Sequence, residues 1–462
     1  MPQDRFEQQF ESLAQAMPKL AGHDAQWSLE FRAEASDFVR LNQGAIRQPG
    51  HVRRTLATIR LLEGQRHASR VVALSGEEAE DQNRLAQAVA GLRSGLPSLA
   101  EDPLCQIETT PSRSRRVERM ASPDGAQGVA QDSRPGDAAR AIIEQVVSHT
   151  RGLDFVGILA AGPRARGLTN SHGVHHWHEV DGYSFDFSLH HDQGELRGRA
   201  AKASLHGRTW QADAFAQRLE RLRQDHALLA RPARAAPTGN VRAFLMPAAV
   251  EALLGLMSWG GFSASDRMAR RSPLQRLVDG EVRLSDQISI WDDVRASDAS
   301  GFNAEGFRRV TPLSLIDQGR DAGACCNPRT SIEYGVAHTG ADGEQPEALM
   351  MAAGEIETQE AMRALGTGLF VNRLWYLNWS DRQSARMTGM TRFATWWVEN
   401  GEAVGPVDPM RFDDSIYRTF GEALEGLTTG RDMIGDDSTY DERSLKTALV
   451  PGALLSSWRL VS

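Results

Sequence analysis

Residues 366–407 read GTGLFVNRLWYLNWSDRQSARMTGMTRFATWWVENGEAVGPV, and this stretch decides the fold. Residues 393–398 are rich in aromatic and β-branched side chains, as β-strands are, and they run directly into Glu399-Asn400-Gly401. Asn-Gly between two strand-like segments is the strongest short hairpin pattern, because both turn positions need a positive φ. The stretch therefore predicts an antiparallel β-meander that closes on a tight hairpin.

The length and composition of the chain limit the classes of protein to which it can belong. With 462 residues it is too long for one small core, and its formal net charge of -8 excludes a broad basic face for nucleic acid. No apolar run is long enough to span a bilayer, and the charged N-terminus lacks the apolar core of a signal peptide. Three cysteines are too few for a disulfide framework. We predict a soluble, cytoplasmic protein that binds neither nucleic acid nor membrane.

The order of helical and strand-like patterns predicts an α+β protein with two domains. Helical spacing of apolar residues near the N-terminus is followed by alternating, strand-like segments, and residues 231–239 (RPARAAPTG) form the best boundary. We predict an N-terminal α+β domain of residues 1–235, with an antiparallel sheet and flanking helices. It includes a long surface loop at 109–136, rich in Ser, Pro, Gly and Arg. Residues 236–462 are predicted to form a mostly β C-terminal domain.

Four segments resemble, in family order, segments of the TldD/PmbA (TldD/TldE) metallopeptidase family. They are residues 37–44 (DFVRLNQG), 168–173 (LTNSHG), 302–308 (FNAEGFR) and the meander at 366–407. Because these segments span nearly the whole chain in the same order, the chain is identified as a member of that family.

The resemblance also implies where a zinc site would lie. Catalytic members of the family carry an HExxxH motif on a helix after the domain boundary: two histidines bind Zn²⁺, the glutamate is the general base, and a C-terminal cysteine completes the site. Here the corresponding helix reads PAAVEALLGLMSWGG, with Gly255, Leu256 and Gly260 at the motif positions and no cysteine beyond Cys326. Such side chains cannot bind a metal. We therefore predict a TldE/PmbA-like chain with no catalytic residue, metal or other cofactor of its own.

This pattern leads to three hypotheses about function. In the first, the chain is the non-catalytic subunit of a heterodimeric zinc metallopeptidase that acts on unfolded or modified peptides, with zinc in a TldD-type partner. In the second, it is a stand-alone peptide-binding or regulatory protein. In the third, it is a self-sufficient peptidase whose metal is held by the histidines of residues 172–178, of which His176 and His178 would share one face of a strand. Whether the chain is itself an enzyme stays open.

The meander is unusually dense in aromatic residues, and these are the candidate binding residues. About half should be buried, since adjacent residues of a strand face opposite sides, and the others are candidates for contacts with a peptide or a partner subunit. The set comprises Trp375, Tyr376, Trp379, Phe393, Trp396 and Trp397.

A pair of cysteines and an acidic segment resemble functional sites, but simpler interpretations are favoured for both. Cys325-Cys326 lacks a nearby base except His338 and is more typical of a small-residue turn than of a nucleophile. The acidic residues between 432 and 441 could bind a cation loosely but are more typical of a solvated loop.

Overall fold

The computed structural model describes residues 5–22, 24–120, 137–191, 194–196, 198–439 and 441–461. These residues form an α+β fold with two large sheets, which confirms the predicted fold class. One sheet contains the strands that precede residue 208 and the other contains the strands that follow residue 238; we call them the N-terminal and C-terminal sheets. No helix among the described residues is long and apolar enough to cross a membrane.

The N-terminal sheet runs in the order β3-β2-β1-β5-β6-β4, and β7 also pairs with β6. Its strands are β1 (Gln26–Asn42), β2 (Ala45–Glu63), β3 (Arg66–Ala73), β4 (Ser112–Glu118), β5 (Phe155–Asn170), β6 (Val174–His190) and β7 (Ala200–Gly207). The accompanying helices are α1 (Arg5–Ala21), α2 (Glu78–Gly95), α3 (Asp137–Thr150) and α4 (Ala212–Leu229).

Helix α1 forms because its apolar residues recur at helical spacing and meet a complementary sheet face. Phe6, Phe10, Leu13 and Met17 are all buried along one side of the helix, as their spacing predicts. They pack with strands β1 and β2 and with α2 in one apolar core. This core covers one face of the N-terminal sheet.

The C-terminal sheet is mixed and includes the meander. Its strands are β8 (Gly239–Leu245), β9 (Ile290–Asp292), β10 (Leu313–Asp317), β11 (Arg320–Asp321), β12 (Ala348–Met351), β13 (Gly368–Asp381), β14 (Arg386–Glu399), β15 (Glu402–Pro406), β16 (Arg411–Ser415), β17 (Leu424–Gly435) and β18 (Thr447–Val461). The helices are α5 (Pro247–Ser258), α6 (Ala264–Met268), α7 (Gln275–Val278), α8 (Pro328–Tyr334), α9 (Ala361–Leu365) and α10 (Ile416–Thr419).

The predicted hairpin is present at the end of β14. Strands β13, β14 and β15 pair antiparallel in sequence, and Glu399 pairs with Glu402 across the turn. Asn400 and Gly401 adopt φ values of 52° and 83°, the left-handed conformation that this two-residue turn requires. The meander prediction is therefore confirmed.

One apolar core contains side chains from both sheets and joins them. Phe185 and Phe215 from the N-terminal half pack in the same cluster as Phe244, Phe370 and Trp396 from the C-terminal half. The C-terminal half has its own core as well, built around α5. The two sheets thus share buried side chains instead of being joined only by a linker.

The predicted surface loop at 109–136 contains a strand instead of being irregular throughout. β4 pairs parallel with β6, with Ser112 opposite Val174 and Glu118 opposite Val180. Its arginines hold this strand in place: the Arg116 guanidinium donates to the carbonyls of Val294 (2.9 Å) and Ser297 (2.7 Å). The composition of this stretch does not predict the strand, because its polar residues find their partners in other segments. Residues 121–136 of the predicted loop lie outside the described part of the chain.

Candidate functional site

Helix α5 is the element on which the sequence places the zinc-motif positions. It begins with Pro247 in its first turn, and Val250, Leu253, Leu254 and Met257 are buried in the C-terminal core at the spacing i, i+3, i+4 and i+7. Its N-terminal cap, Met246, offers no capping side chain. Pro247 has no N–H, and the amides of Ala249 and Val250 donate to the carbonyl of Met246, so Ala248 is the first-turn amide left without a partner among the described residues.

The three motif positions on and after α5 do not fit a zinc ion. Leu256 is buried in the core, and Gly260 has φ +89°, where a Cβ would lie only 2.5 Å from Nη2 of Arg382 and 2.6 Å from Oδ2 of Asp266. Gly255 alone has room for a side chain. None of the three carries a nitrogen, oxygen or sulfur donor, and zinc sites in proteins are built from such donors. A side chain at Gly260 would also require the ends of the Arg382 and Asp266 side chains to shift.

Charged side chains meet where β6 and β7 face the C-terminal half. Lys202 Nζ lies 2.8 Å from Oδ2 of Asp186 and 3.5 Å from Oδ2 of Asp437. In the same place Nη2 of Arg373 donates to Oγ of Ser204 at 3.2 Å. Asp186, Lys202 and Ser204 belong to the N-terminal sheet, whereas Arg373 and Asp437 belong to the C-terminal half. We call these five residues, with His206 and Glu251, the interdomain charge cluster.

Strand periodicity explains why the N-terminal members of the cluster point the same way. Lys202, Ser204 and His206 alternate along β7 and so share one face, while Asp186 on β6 is the register partner of Ser204. On β6, Phe185 and Phe187 are buried on the opposite face, as the alternation in the sequence predicts. The polar face of these two strands is thus directed at the C-terminal half.

Burial shifts the protonation of His206 in a way that matters for binding. It lowers the pKa of His206 to about 4, against the nearby charge of Asp437, so the imidazole is neutral near pH 7. Its Nε2 atom, and Nε of Arg373, are buried without a hydrogen-bond partner. Two unpartnered donor or acceptor atoms in one place indicate a site that a ligand would complete.

Glu251 extends the cluster onto helix α5. Burial raises the pKa of this carboxyl to about 7, although the charge of Arg373 opposes the shift. The carboxyl makes no hydrogen bond or ion pair with any described residue. A carboxyl that ionises near neutral pH can accept a proton or a peptide N–H, so Glu251 is a candidate binding residue. It lies one turn before Gly255, the motif position that has space around it.

The six aromatic residues of the meander divide by exposure. Trp396 is buried in the core shared by the two sheets, and Trp379, Phe393 and Trp397 are half-buried. Trp375 is 42% exposed and Tyr376 is 69% exposed. The structure therefore leaves two of the six rings open for contact with another molecule.

Backbone irregularity puts these two adjacent rings on the same side. Tyr376 has φ 52°, and the register of β13 with β14 shifts between Trp375 and Asn378. The two ring centroids lie 3.9 Å apart, and Cζ of Arg392 lies 3.6 Å from the centroid of Trp375. We call Trp375, Tyr376 and Arg392 the aromatic platform. A non-glycine residue at positive φ costs about 1–3 kcal/mol, and such residues concentrate at functional sites.

Phe393 connects the aromatic platform with the interdomain charge cluster. Its ring centroid lies 5.1 Å from Cζ of Arg392 and 5.6 Å from Nζ of Lys202. Phe393 also has positive φ, at 60°. The platform, Phe393 and the charge cluster therefore form one continuous surface that leads from solvent toward α5.

Three of the four histidines of residues 172–178 are engaged in structural contacts, whereas Nε2 of His172 is buried without a hydrogen-bond partner among the described residues. His176 and His178 share a face of β6, as predicted, and His175 faces the other way, with Nε2 2.8 Å from Oε1 of Glu11. Nδ1 of His176 lies 2.8 Å from Oγ of Ser114, and Nε2 of His178 donates to the carbonyl of Asp298 at 2.9 Å. Burial lowers the pKa of both to about 4. Within the described residues, His, Cys, Asp and Glu side chains form no group of three or more that could hold a metal.

The two remaining sequence patterns also have structural partners. Cys325 and Cys326 are buried, and burial raises the pKa of their thiols to about 12 and about 11, far from a reactive thiolate. In the acidic segment, Asp432 pairs with Arg218 at 3.2 Å and Asp437 with Lys202. That segment is thus part of the contact between the two halves.

Sequence reasoning singled out Asp437, but only as part of a solvated loop, and missed Lys202, Arg373, His206 and Glu251. Polar and apolar residues alternate along both β6 and β7, and this alternation indicates one polar face on each strand. Nothing in the local sequence indicates that this face meets Arg373 and Asp437, because they are far away along the chain.

The C-terminal half of the chain matches the model of a known protein family. Residues 238–456 match the model of the PmbA/TldA metallopeptidase C-terminal domain. The match includes α5, the meander and the acidic segment. No curated protein sequence matches the chain.

Several solved structures share the fold over the whole length. TldE from Thermococcus kodakarensis has a TM-score of 0.75 and 15% identity, over 98% of this chain and 100% of its own. Two proteins described as candidate modulators of DNA gyrase, from Thermotoga maritima and Bacteroides thetaiotaomicron, each have a TM-score of 0.73 and 15% identity. Those alignments cover 99% and 100% of this chain and 100% of both relatives. At this identity the likeness is one of fold.

Proposed function

Because the chain belongs to the TldD/PmbA/TldE family, we propose that it is the non-catalytic subunit of a heterodimeric TldD/TldE-type zinc metallopeptidase. In this proposal a TldD-type subunit provides the zinc and the general base. The present chain binds and aligns an unfolded or modified peptide.

One observation supports the proposal: none of the three residues at the motif positions that the family resemblance indicates carries a donor for a metal. Gly255, Leu256 and Gly260 offer no ligand. The same helix carries Glu251, whose carboxyl lies near the charge of Arg373. An arrangement of this kind suits binding better than metal-dependent hydrolysis.

The aromatic platform supports the binding role. Tryptophan and tyrosine are enriched at protein interfaces, and an extended peptide binds largely through backbone hydrogen bonds and a few side-chain anchors. Trp375 and Tyr376 are exposed at one end of the surface that leads to the charge cluster. We propose that this surface contacts the peptide, with the partner subunit closing the other side.

Co-expression with a TldD-type subunit tests the proposal. We expect the two chains to co-purify as a heterodimer that contains zinc and cleaves an unstructured peptide, and we expect the single chain to do neither. The control is the same complex with the HExxxH glutamate of the TldD-type subunit changed to glutamine, which should assemble and bind zinc but not cleave.

Two outcomes would contradict the proposal in different ways. Stoichiometric zinc and cleavage by the single chain would favour a self-sufficient peptidase, and His176→Ala would then show whether the histidines of β6 hold the metal. Peptide binding by the single chain without any association with the TldD-type subunit would favour a stand-alone peptide-binding protein.

A further inference from the structure

A partly enclosed cavity of about 80 Å³ lies between the two halves, beside the interdomain charge cluster. Helix α4 and strand β7 of the N-terminal half form one wall, and β13, β17 and the start of α5 form the other. A water needs roughly 10–15 Å³ of such space, so the cavity accommodates several water-sized groups. Its size suits a carboxylate with a short side chain.

The cavity concentrates groups that favour an anion. Lys202, Arg218 and Arg373 all contribute to its lining. The ammonium of Lys202 is already paired with Asp186 and Asp437, whereas Nε of Arg373 is buried without a partner. The first turn of α5, at Pro247 and Ala248, also lines it. This helix has twelve residues and no capping side chain, so its amide dipoles place positive potential in the cavity.

Apolar side chains form another part of the lining. Phe370 and Trp396 belong to the core shared by the two sheets, and Met246 and Met362 pack against it. A ligand with only a charge, such as a free inorganic anion, would leave this part of the cavity unfilled. A ligand with an adjoining apolar group would use both parts.

Two carboxyl groups in the lining would repel an anion when ionised. One is neutralised by an ion pair and the other by partial protonation. Asp432 is paired with Arg218 at 3.2 Å. Burial raises the pKa of Asp225 to about 6, and the charge of Arg221 opposes this shift. Asp225 is therefore protonated in part of the molecules near neutral pH and could then donate a hydrogen bond to a bound carboxylate.

We infer that this interdomain cavity binds the C-terminal carboxylate of a peptide together with a short apolar side chain. Arg373 and the backbone amide of Ala248 in the first turn of α5 would hold the carboxylate, and the apolar lining would hold the side chain. The inference rests on the proposed peptide-binding function and adds to it the end of the peptide that is bound.

Calorimetric titration of the full chain with two matched peptides tests this inference. The probes are N-acetyl-Gly-Gly-Ala-Ala as the free acid and as the C-terminal amide. We expect the acid to bind at least tenfold more tightly, and Arg373→Gln to reduce the difference to less than threefold. Arg47→Gln, which removes an exposed arginine from β2, should leave the tenfold preference unchanged.

A second pair of variants keeps the test decisive if Arg373→Gln fails to fold. Ala248→Asp places a carboxylate in the first turn of α5, where it stabilises the helix and occupies the proposed site with its own charge. We expect this variant to lose the preference for the acid, and the isosteric Ala248→Asn to keep it.

Equal binding of acid and amide by the wild-type chain would overturn the inference. Competition by inorganic phosphate as strong as that by the peptide acid would overturn the peptide as the ligand. An active complex with a TldD-type subunit that shows no preference for the acid would refute the cavity assignment alone. A preference for the acid in a chain that never forms such a complex would refute only the proposed function.

Discussion

The guanidinium carbon of Arg392 lies 3.6 Å from the ring centroid of Trp375, close enough for face-on stacking on an exposed indole. The two residues are diagonal neighbours on the paired strands β13 and β14, next to Tyr376 at positive φ. Arginine stacking limits the rotamers of the indole, so the platform is ordered before any peptide arrives. A preordered aromatic surface loses less conformational entropy on binding.

Trp375→Ala should weaken binding of an unstructured peptide about tenfold, since an exposed aromatic anchor contributes about 1–2 kcal/mol. Binding is measured by fluorescence anisotropy with a labelled decapeptide of alanine, serine and leucine. Trp259→Ala is the matched control, because Trp259 is 52% exposed but lies at the far end of α5. Equal loss in both variants would mean that the platform is not the peptide surface.

The two glycines at the zinc-motif positions should respond oppositely to alanine. Gly255→Ala should raise the free energy of unfolding by about 0.5–1 kcal/mol, because it lies in the helix with space around it. Gly260→Ala should lower it by about 1–3 kcal/mol, since φ is +89°, a conformation that L side chains rarely adopt, and the ends of the Arg382 and Asp266 side chains would have to shift. Urea denaturation of both variants measures the difference. A stabilised Gly260→Ala would contradict the packing described for this position.

Acid should destabilise the protein through its buried neutral histidines. His178 has a folded pKa of about 4 and an unfolded pKa near 6.5, so its contribution is complete above pH 6.5 and is lost as pH falls toward 4. His178→Gln keeps a donor for the Asp298 carbonyl and should reduce this loss by roughly 1–3 kcal/mol between pH 6.5 and 4.5. The free energy of unfolding is measured across this range. The exposed His51→Gln is the control, and parallel pH profiles for both variants would contradict the assignment.

Ionisation of Glu251 should destabilise the folded protein as the pH rises, which is the opposite of the effect of His178. Its folded pKa is raised to about 7 from an unfolded value near 4.3, so the folded state loses stability as pH rises from about 4.5 to 7. Glu251→Gln should therefore match wild type at pH 4.5 and exceed it by about 1–2 kcal/mol at pH 8. Thermal denaturation at the two pH values tests this, with Glu422→Gln on the surface as the control. A variant less stable than wild type at pH 8 would show that the ionised carboxylate has a partner.

The parts of the fold that the sequence predicts well are those with a local cause. The hairpin at Asn400-Gly401 follows from two positive-φ positions, and the buried side of α5 follows from the spacing of Val250, Leu253 and Leu254. The strand at 112–118 is not predicted, because Arg115 pairs with Glu7 and Arg116 donates to the carbonyls of Val294 and Ser297, contacts that no local pattern reveals.

The candidate site, like the fold, is predicted only in part from the sequence. The exposed rings of Trp375 and Tyr376 lie in a stretch whose aromatic density is visible in the sequence. Which of the six rings are exposed depends on the irregular backbone at Tyr376, and no spacing rule predicts that irregularity. The charge cluster is assembled from Lys202, Arg373 and Asp437, whose proximity is a property of the tertiary fold alone.

The apolar core that joins the two sheets has a consequence for how the cavity can change. Phe215 from α4 and Phe244 from β8 lie in the same buried cluster, so rotating one half away from the other would expose both rings to water. Such a hinge motion would cost several kcal/mol for these two side chains alone. Access to the cavity should therefore come from small rearrangements of side chains such as Met362 and Met433 at its edge, and the two halves should unfold in a single cooperative transition.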